Sequence, residues 1–184
     1  SSLLECMGEG QVTVDGVSRP VPQPFLVIAT QNPAGASGTQ PLPDSQMDRF
    51  MIRLSLGYPG EDAEVEMLRR KQRGNPLEAV AQVTDAAGLE SARQEVAAVH
   101  ISDEVARTHP LVHQGGSPRC TLAVAAMSRA MAWLQDRDYV VPQDVKSVFR
   151  DTVAHRLLLT GRGLSEGADP AEDAVRSVPA PKLA

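Results

Sequence analysis

Phe25-Leu26-Val27-Ile28-Ala29-Thr30-Gln31-Asn32-Pro33 and Leu42-Pro43-Asp44-Ser45-Gln46-Met47-Asp48-Arg49-Phe50 decide how the rest of the chain is read. Phe25 to Ala29 is an unbroken apolar run, preceded by Pro24 and ended by polar Thr30-Gln31-Asn32. Such a run suits a strand buried on both faces, as in a parallel sheet covered by helices. Asn32 then sits at the carboxyl end of that strand, the edge where open α/β sheets bind ligands. Pro33 pushes Asn32 toward extended geometry and ends the strand. Small residues, Ala34 to Thr39, carry the chain on to Asp48-Arg49-Phe50, an Asp-Arg pair beside an aromatic anchor. Taken singly, an Asn after a strand is a turn former, and an Asp-Arg dipeptide is a surface pair of little energetic weight.

In combination and in this order, Ala29 to Pro33, Pro41-Leu42-Pro43 and Gln46 to Phe50 resemble the AAA+ ATPases of the MoxR family. The magnesium-chelatase ATPase subunits are relatives of that family. The resemblance runs from about Ser2 to Thr160. It implies a fold: the back half of an AAA+ P-loop NTPase core, a parallel-sheet αβα unit with a β-hairpin insert, followed by an all-α lid. It also implies roles. Asn32 would be the sensor that orients the attacking water. Arg49 would be the arginine finger that reaches the nucleotide of a neighbouring subunit.

Bulk composition is compatible with this class. The chain has 184 residues, 42% hydrophobic and 22% charged, with an aromatic share of only 3%, so the core is aliphatic. The formal net charge is −5, and no basic stripe appears, which argues against binding a phosphate backbone. Cys6 and Cys120 lie far apart in no Cys-x-x-Cys pattern, which predicts reduced thiols and a cytoplasmic setting. No apolar run approaches the roughly 18 residues needed to span a bilayer, and the N-terminus does not read as a signal peptide.

In chain order, Leu3, Leu4 and Met7 share a helical face that Gly8 and Gly10 end. Two alternating segments, Gln11 to Val14 and Val17 to Val21, flank Asp15-Gly16, the strongest short hairpin signal. Pro20 makes the return strand an edge. A plain surface hairpin and the projecting insertion of the MoxR relatives share this pattern. Phe50 to Leu56 alternates as a half-exposed strand with Ile52, Leu54 and Leu56 on one face. Gly57-Tyr58-Pro59-Gly60 reads as a hinge and as the domain boundary.

Beyond the hinge the pattern is helical. Glu61 to Arg73 carries acidic residues first and Arg69, Arg70, Lys71 and Arg73 last, a polarity that suits the helix dipole and a solvated end. Further helices are expected at Glu90 to Ala98, briefly from Ser102, from Pro118 through Trp133, and from Pro142 with Val145, Val148, Val153 and Leu157 as its apolar side. The organisation expected is therefore an ATPase-core portion over 1–57, a helical lid over 58–160, and a disordered tail over 161–184, where Gly, Ser, Pro, Ala and Asp dominate.

Gly115-Gly116-Ser117-Pro118-Arg119 is the third motif. By itself it is a helix cap followed by an Arg. A basic residue in the first turn opposes the dipole, however, so it needs an anion nearby. In the MoxR relatives a Gly-x-Ser-Pro-Arg segment opens a lid helix, and the resemblance makes Arg119 the second sensor, which contacts the γ-phosphate in its own subunit. Guanidinium suits the task because its planar fork matches phosphate oxygens. His100, His109, His113 and His155 form no ligand set: Pro110 separates His109 from His113, so no metal site is assigned.

The chain departs from the family pattern in three places. No Gly-x-x-x-x-Gly-Lys-Ser/Thr occurs, so the phosphate cradle is absent. No apolar strand ends in Asp-Glu, so the magnesium carboxylate and catalytic base are absent. The family helix that follows Ser102 to Arg107 continues for about ten more residues, some 15 Å; here the chain passes directly to Thr108-His109-Pro110. The chain alone is accordingly expected not to bind ATP tightly and to be inactive. The complete protein is expected to use ATP and Mg²⁺ in a homo-oligomeric ring, a hexamer, acting as a chaperone-like factor in complex maturation or metal-cofactor insertion. Its expected partners are a client or a von Willebrand A-type protein, with no nucleic acid and no membrane span. The competing reading is a non-catalytic interaction protein derived from such an ATPase.

Overall fold

In the computed structural model the described residues are 2–31, 42–72, 75–102, 117–157 and 169–177. Helix α1 spans Ser2–Glu9 and ends where Gly10 takes φ +66°, a left-handed conformation that suits glycine. The Gly10 N–H donates to the Cys6 carbonyl at 3.1 Å. Strands β1 (Gln11–Val14) and β2 (Val17–Pro20) pair antiparallel from Val14↔Val17 to Gln11↔Pro20. Asp15 and Gly16 have φ of 52° and 76°, so both central turn residues are left-handed, as the Asp-Gly signal requires. The hairpin is tied to α1 because the Glu5 carboxylate accepts the Thr13 N–H at 3.1 Å.

The two further strands expected from the sequence do not form ladders. Residues 21–31 lie in no strand, with Leu26 76% and Ile28 83% exposed. Among the described residues the sheet is the two-stranded hairpin alone. A strand buried on both faces needs a neighbour along each edge, and no described segment pairs with Phe25 to Ala29 in a ladder. Phe50 to Leu56 is likewise unpaired; its anticipated apolar face ends with Leu56 97% exposed. Beyond Phe50, the Arg53 N–H donates to the Asp151 carbonyl at 2.9 Å and ties this segment to the second half of the chain.

Helix α2 (Asp44–Met47) is a single turn after Pro43. Helix α3 (Glu61–Gln72) has the predicted polarity, with Glu61, Asp62 and Glu64 first and Arg69, Arg70 and Lys71 last. A short 3₁₀ turn, Pro76–Ala79, follows, with the Asn75 side chain accepting the Leu77 N–H. Helix α4 (Ala86–Ala98) begins before the predicted Glu90, because Asp85 caps it through the Gly88 N–H at 2.8 Å. The short helix expected from Ser102 falls in residues 103–116, outside the described residues.

The core belongs to the second half of the chain. Helix α5 (Pro118–Trp133) packs along α6 (Pro142–Val153), which runs into a 3₁₀ turn at Ala154–Arg156. Proline opens both α5 and α6, where its missing N–H costs nothing. The apolar residues predicted for α6 are found inside: Val145, Val148 and Val153 are buried and Leu157 packs against the cluster. Phe149 and Val124 complete that contact, and full burial of each such side chain contributes about 1.5–3 kcal/mol. Val99 and Val140 join the core where His100 and Tyr139 form a parallel bridge. The Trp133 Nε1–H donates to Glu95 at 2.9 Å and so fastens α4 to α5.

Composition predicts a disordered tail from Gly161, but Pro170–Ser177 is a helix, α7. Ala171 and Ala174 are buried against α6, and Asp169 both accepts the Glu172 N–H and pairs with Arg150 at 2.7 Å. Small side chains make this close approach possible, and composition alone does not reveal it.

Asp144, in the first turn of α6, is 2% exposed and bound by a fork from Arg137 at 2.6 and 2.8 Å, and by the Val141 N–H at 2.9 Å. Burial would raise its pKa, but the Arg137 fork and the Val141 N–H outweigh burial and hold the carboxyl below its ordinary value. A lowered folded pKa contributes stability that is complete above the unfolded pKa and lost as pH falls through the folded one. Asp144→Asn should therefore lose about 1–3 kcal/mol at pH 7. Urea unfolding of both proteins at pH 7 and pH 3 should show that gap shrinking in acid.

Candidate functional site

The turn that follows α2 aims three consecutive residues at different neighbours. The Asp48 N–H donates to the Asp44 carbonyl, that of Arg49 to Gln46, and that of Phe50 to Met47, so Asp48-Arg49-Phe50 is held in helical turns. The sequence suggests a local Asp48–Arg49 pair. The structure separates the two.

Asp48 faces the second half of the chain. Its carboxylate accepts the Ser117 hydroxyl at 3.0 and 2.9 Å and the Arg156 Nη1–H at 3.1 Å. The Arg119 guanidinium lies 3.7 Å away, an ion pair without a hydrogen bond. Ser117 is the N-cap residue of α5, yet its hydroxyl makes no capping bond and is spent on Asp48. Arg156 is 2% exposed at its side chain, against 58% for Arg119. The anion that Arg119 needs at a helix start is thus supplied within the chain, weakly, by a carboxylate remote in sequence.

Phe50 anchors the turn chiefly through its backbone. Its carbonyl accepts the Arg156 Nη2–H at 2.6 Å and lies 3.1 Å from His155 Nε2. The Arg156 Nε–H also points at His155 Nε2, at 3.3 Å, and the buried His155 Nδ1 has no hydrogen-bond partner among the described residues. Burial lowers the His155 pKa, the Phe50 carbonyl opposes this, and Arg156 and Arg53 lower it further while Asp48 raises it. Cys120, one turn into α5, is fully buried beside these charges; burial raises its thiol, Arg156 lowers it and Asp48 raises it, with a net upward shift.

Arg49 turns back toward the N-terminal helix. Its Nη1–H donates to the Leu4 carbonyl at 3.4 Å, close over Gly8. Of the three residues singled out from the sequence, Arg119 lies beside Asp48, while Arg49, next to Asp48 in the chain, reaches the Leu4 carbonyl instead. Asn32 lies outside the described residues. Arg156, the most enclosed member of the cluster, is not singled out by any motif, because a basic residue at a helix end reads as a dipole match. Among the described residues no three His, Cys, Asp or Glu side chains gather as a metal site, and no helix is long and apolar enough to cross a membrane. The cluster holds two guanidinium groups around one carboxylate, so the seam carries a cationic excess whose exposed part is Arg119.

Comparison with known proteins bears on the family and the fold. A family profile described as "ATPase family associated with various cellular activities (AAA)" matches residues 1–52, and one described as an AAA lid domain matches residues 104–178. The chain is 37% identical over 188 residues to the uncharacterized protein YeaC of Bacillus subtilis (strain 168), covering 97% of this chain and 58% of that protein. It is 37% identical over 191 residues to Chaperone MoxR1 of Mycobacterium tuberculosis, covering 92% of this chain and 50% of that protein. It thus spans little more than half the length of either relative. A crystal structure described as an ATPase from Cytophaga hutchinsonii superposes with a TM-score of 0.84 at 33% identity, over 98% of this chain and 61% of that one.

A His with a folded pKa below its unfolded value is neutral in the fold at pH 7, and acid favours the unfolded state that binds the proton. Stability from a neutral His155 is complete above the unfolded pKa of about 6.5 and falls as pH drops below it. His155→Gln, which keeps a donor for the Phe50 carbonyl, should lose less melting temperature between pH 7.5 and pH 5.5 than the unaltered protein. Thermal melts at the two pH values measure the difference.

Proposed function

The chain belongs to the MoxR family of AAA+ ATPases, and from that premise we propose that it is the sensor-bearing and lid-bearing part of an ATPase that hydrolyses ATP at the subunit interfaces of a ring. Residues 1–57 are read as part of the core and the helices beyond the 58–60 hinge as the lid, with α7 adding to the lid beyond residue 160. The observation that carries this reading is the turn at 48–49, where the Asp48 carboxylate lies 3.7 Å from Arg119 and its chain neighbour Arg49 reaches the Leu4 carbonyl. Arg119 is exposed and its 3.7 Å contact is too long for a hydrogen bond, so exchanging Asp48 for a phosphate oxygen sacrifices little.

The residues present fit one end of a nucleotide. Arg119 would read the γ-phosphate in its own subunit, and Asn32 would orient the attacking water. Arg49 would leave the Leu4 carbonyl, a long 3.4 Å bond, and reach the nucleotide of the next subunit. ATP supplies the transferable phosphoryl group; these side chains position it and neutralise charge. The residues present do not fit Mg²⁺, since no carboxylate cluster occurs among the described residues and no phosphate-loop motif occurs in the 184 residues. No step is assigned to the metal. The likeness to Chaperone MoxR1 supports a chaperone-like role, and the task proposed for it is complex maturation or metal-cofactor insertion. A hexamer in the reducing cytoplasm, with a client or von Willebrand A-type partner, completes the proposal; the free thiols Cys6 and Cys120 support the compartment.

In the complete protein, Arg49→Ala should reduce turnover ~10³- to 10⁵-fold with ATP affinity largely kept, a loss of about 4–7 kcal/mol in transition-state stabilisation. Mixing it with subunits whose phosphate loop is disabled should restore part of the rate. A loss of less than tenfold would reject the finger assignment, and absence of any turnover in the unaltered complete protein would favour the non-catalytic interaction protein. Arg119→Ala should weaken the nucleotide-dependent protection of α5 in hydrogen exchange together with turnover; unchanged protection and turnover would leave Arg119 as a helix-start residue only.

A further inference from the structure

We infer that Arg156 is the positioning residue that makes the lid and the Arg49 turn move as one body; this deepens, and rests on, the reading of Arg49 as the residue acting in trans. Arg156 lies at the end of the last core helix run, 108 residues from Asp48 and 106 from Phe50. Its fork spans the turn: Nη1 holds the Asp48 side chain at 3.1 Å and Nη2 holds the Phe50 carbonyl at 2.6 Å. Arg49 is the residue between those two. A planar guanidinium bonded on both sides of it fixes the direction of its backbone more tightly than a single contact could.

Two further bonds close the clamp from the lid. Ser117, at the start of α5, gives its hydroxyl to the same carboxylate. The Arg53 N–H, just beyond the turn, donates to the Asp151 carbonyl of α6 at 2.9 Å. The turn is therefore attached to α5 and α6, whereas the Arg49 side chain hydrogen-bonds, among the described residues, to the Leu4 carbonyl at 3.4 Å. Because Arg156 is enclosed and Arg119 is exposed, the two arginines on Asp48 divide the work. Arg119 is free to leave for an anion, and Arg156 stays. A lid that turns when Arg119 engages phosphate then carries Arg49 with it, so occupancy of one site is relayed to the finger serving the next.

The test is a double-mutant cycle in the complete, ring-forming protein with ATP as substrate. Arg156→Lys keeps the charge and loses the fork. It should lower kcat at least about tenfold with KM for ATP within about twofold, while the same change in an Arg49→Ala background alters the residual rate less than about twofold. Ser117→Ala, which removes a donor from Asp48 without burying a charge, should show the same pattern more weakly and serves if Arg156→Lys fails to fold. Equal factors in both backgrounds would make Arg156 a purely structural residue and overturn the inference. So would an unchanged kcat. An Arg49→Ala protein with full activity would instead reject the finger reading, and this inference with it.

Discussion

The ion pair between Asp48 and Arg156 joins parts of the molecule that share little other contact. An enclosed ion pair persists only where further bonds satisfy both partners, because each charge gives up water to be there. Here the requirement is met. Ser117 adds a hydroxyl proton to the carboxylate, and the Phe50 carbonyl takes the second arm of the guanidinium. His155 supplies the enclosing wall as a neutral ring, which avoids a second buried cation beside Arg156. Removing any one of these groups leaves a charge or a polar atom without its counterpart, so the cluster behaves as a unit.

Burial is distributed unevenly around that pair. The second half of the chain owns the aliphatic core, in which α5, α6 and α7 cover one another. Its buried hydroxyls are satisfied within their own helices, Ser128 on the Val124 carbonyl and Thr152 on that of Val148. The first half is held by polar stitches, Glu5 to Thr13, Arg49 to Leu4 and Arg53 to Asp151. Asp48 and Arg156 connect the part with a core to the part without one.

What the sequence revealed followed the range of the forces involved. Asp15-Gly16, Ser117-Pro118 and Pro142 act over a few residues, and the hairpin turn and helix starts fall where those residues place them. The acidic and basic ends of α3 are equally local. The apolar run Phe25 to Ala29 joins no ladder among the described residues, because its pattern describes a strand among neighbours and periodicity says nothing about whether neighbours are present. Helix α7 was hidden by composition, since Ala171 and Ala174 matter only once α6 lies against them. In the candidate site, Arg49 and Arg119 were legible through motif. Arg156 was not, because its meaning comes from partners more than a hundred residues away.

The segment after the hairpin has a practical consequence. Leu26 and Ile28 project into solvent from a backbone that makes no hydrogen bond to a described residue over 26–30. A stretch that is apolar and unpaired is a template on which another chain can add a strand. By that reasoning, residues 25–29 are where self-association of this polypeptide would begin. Charged substitutions at Leu26 or Ile28 are the natural means of keeping it in solution.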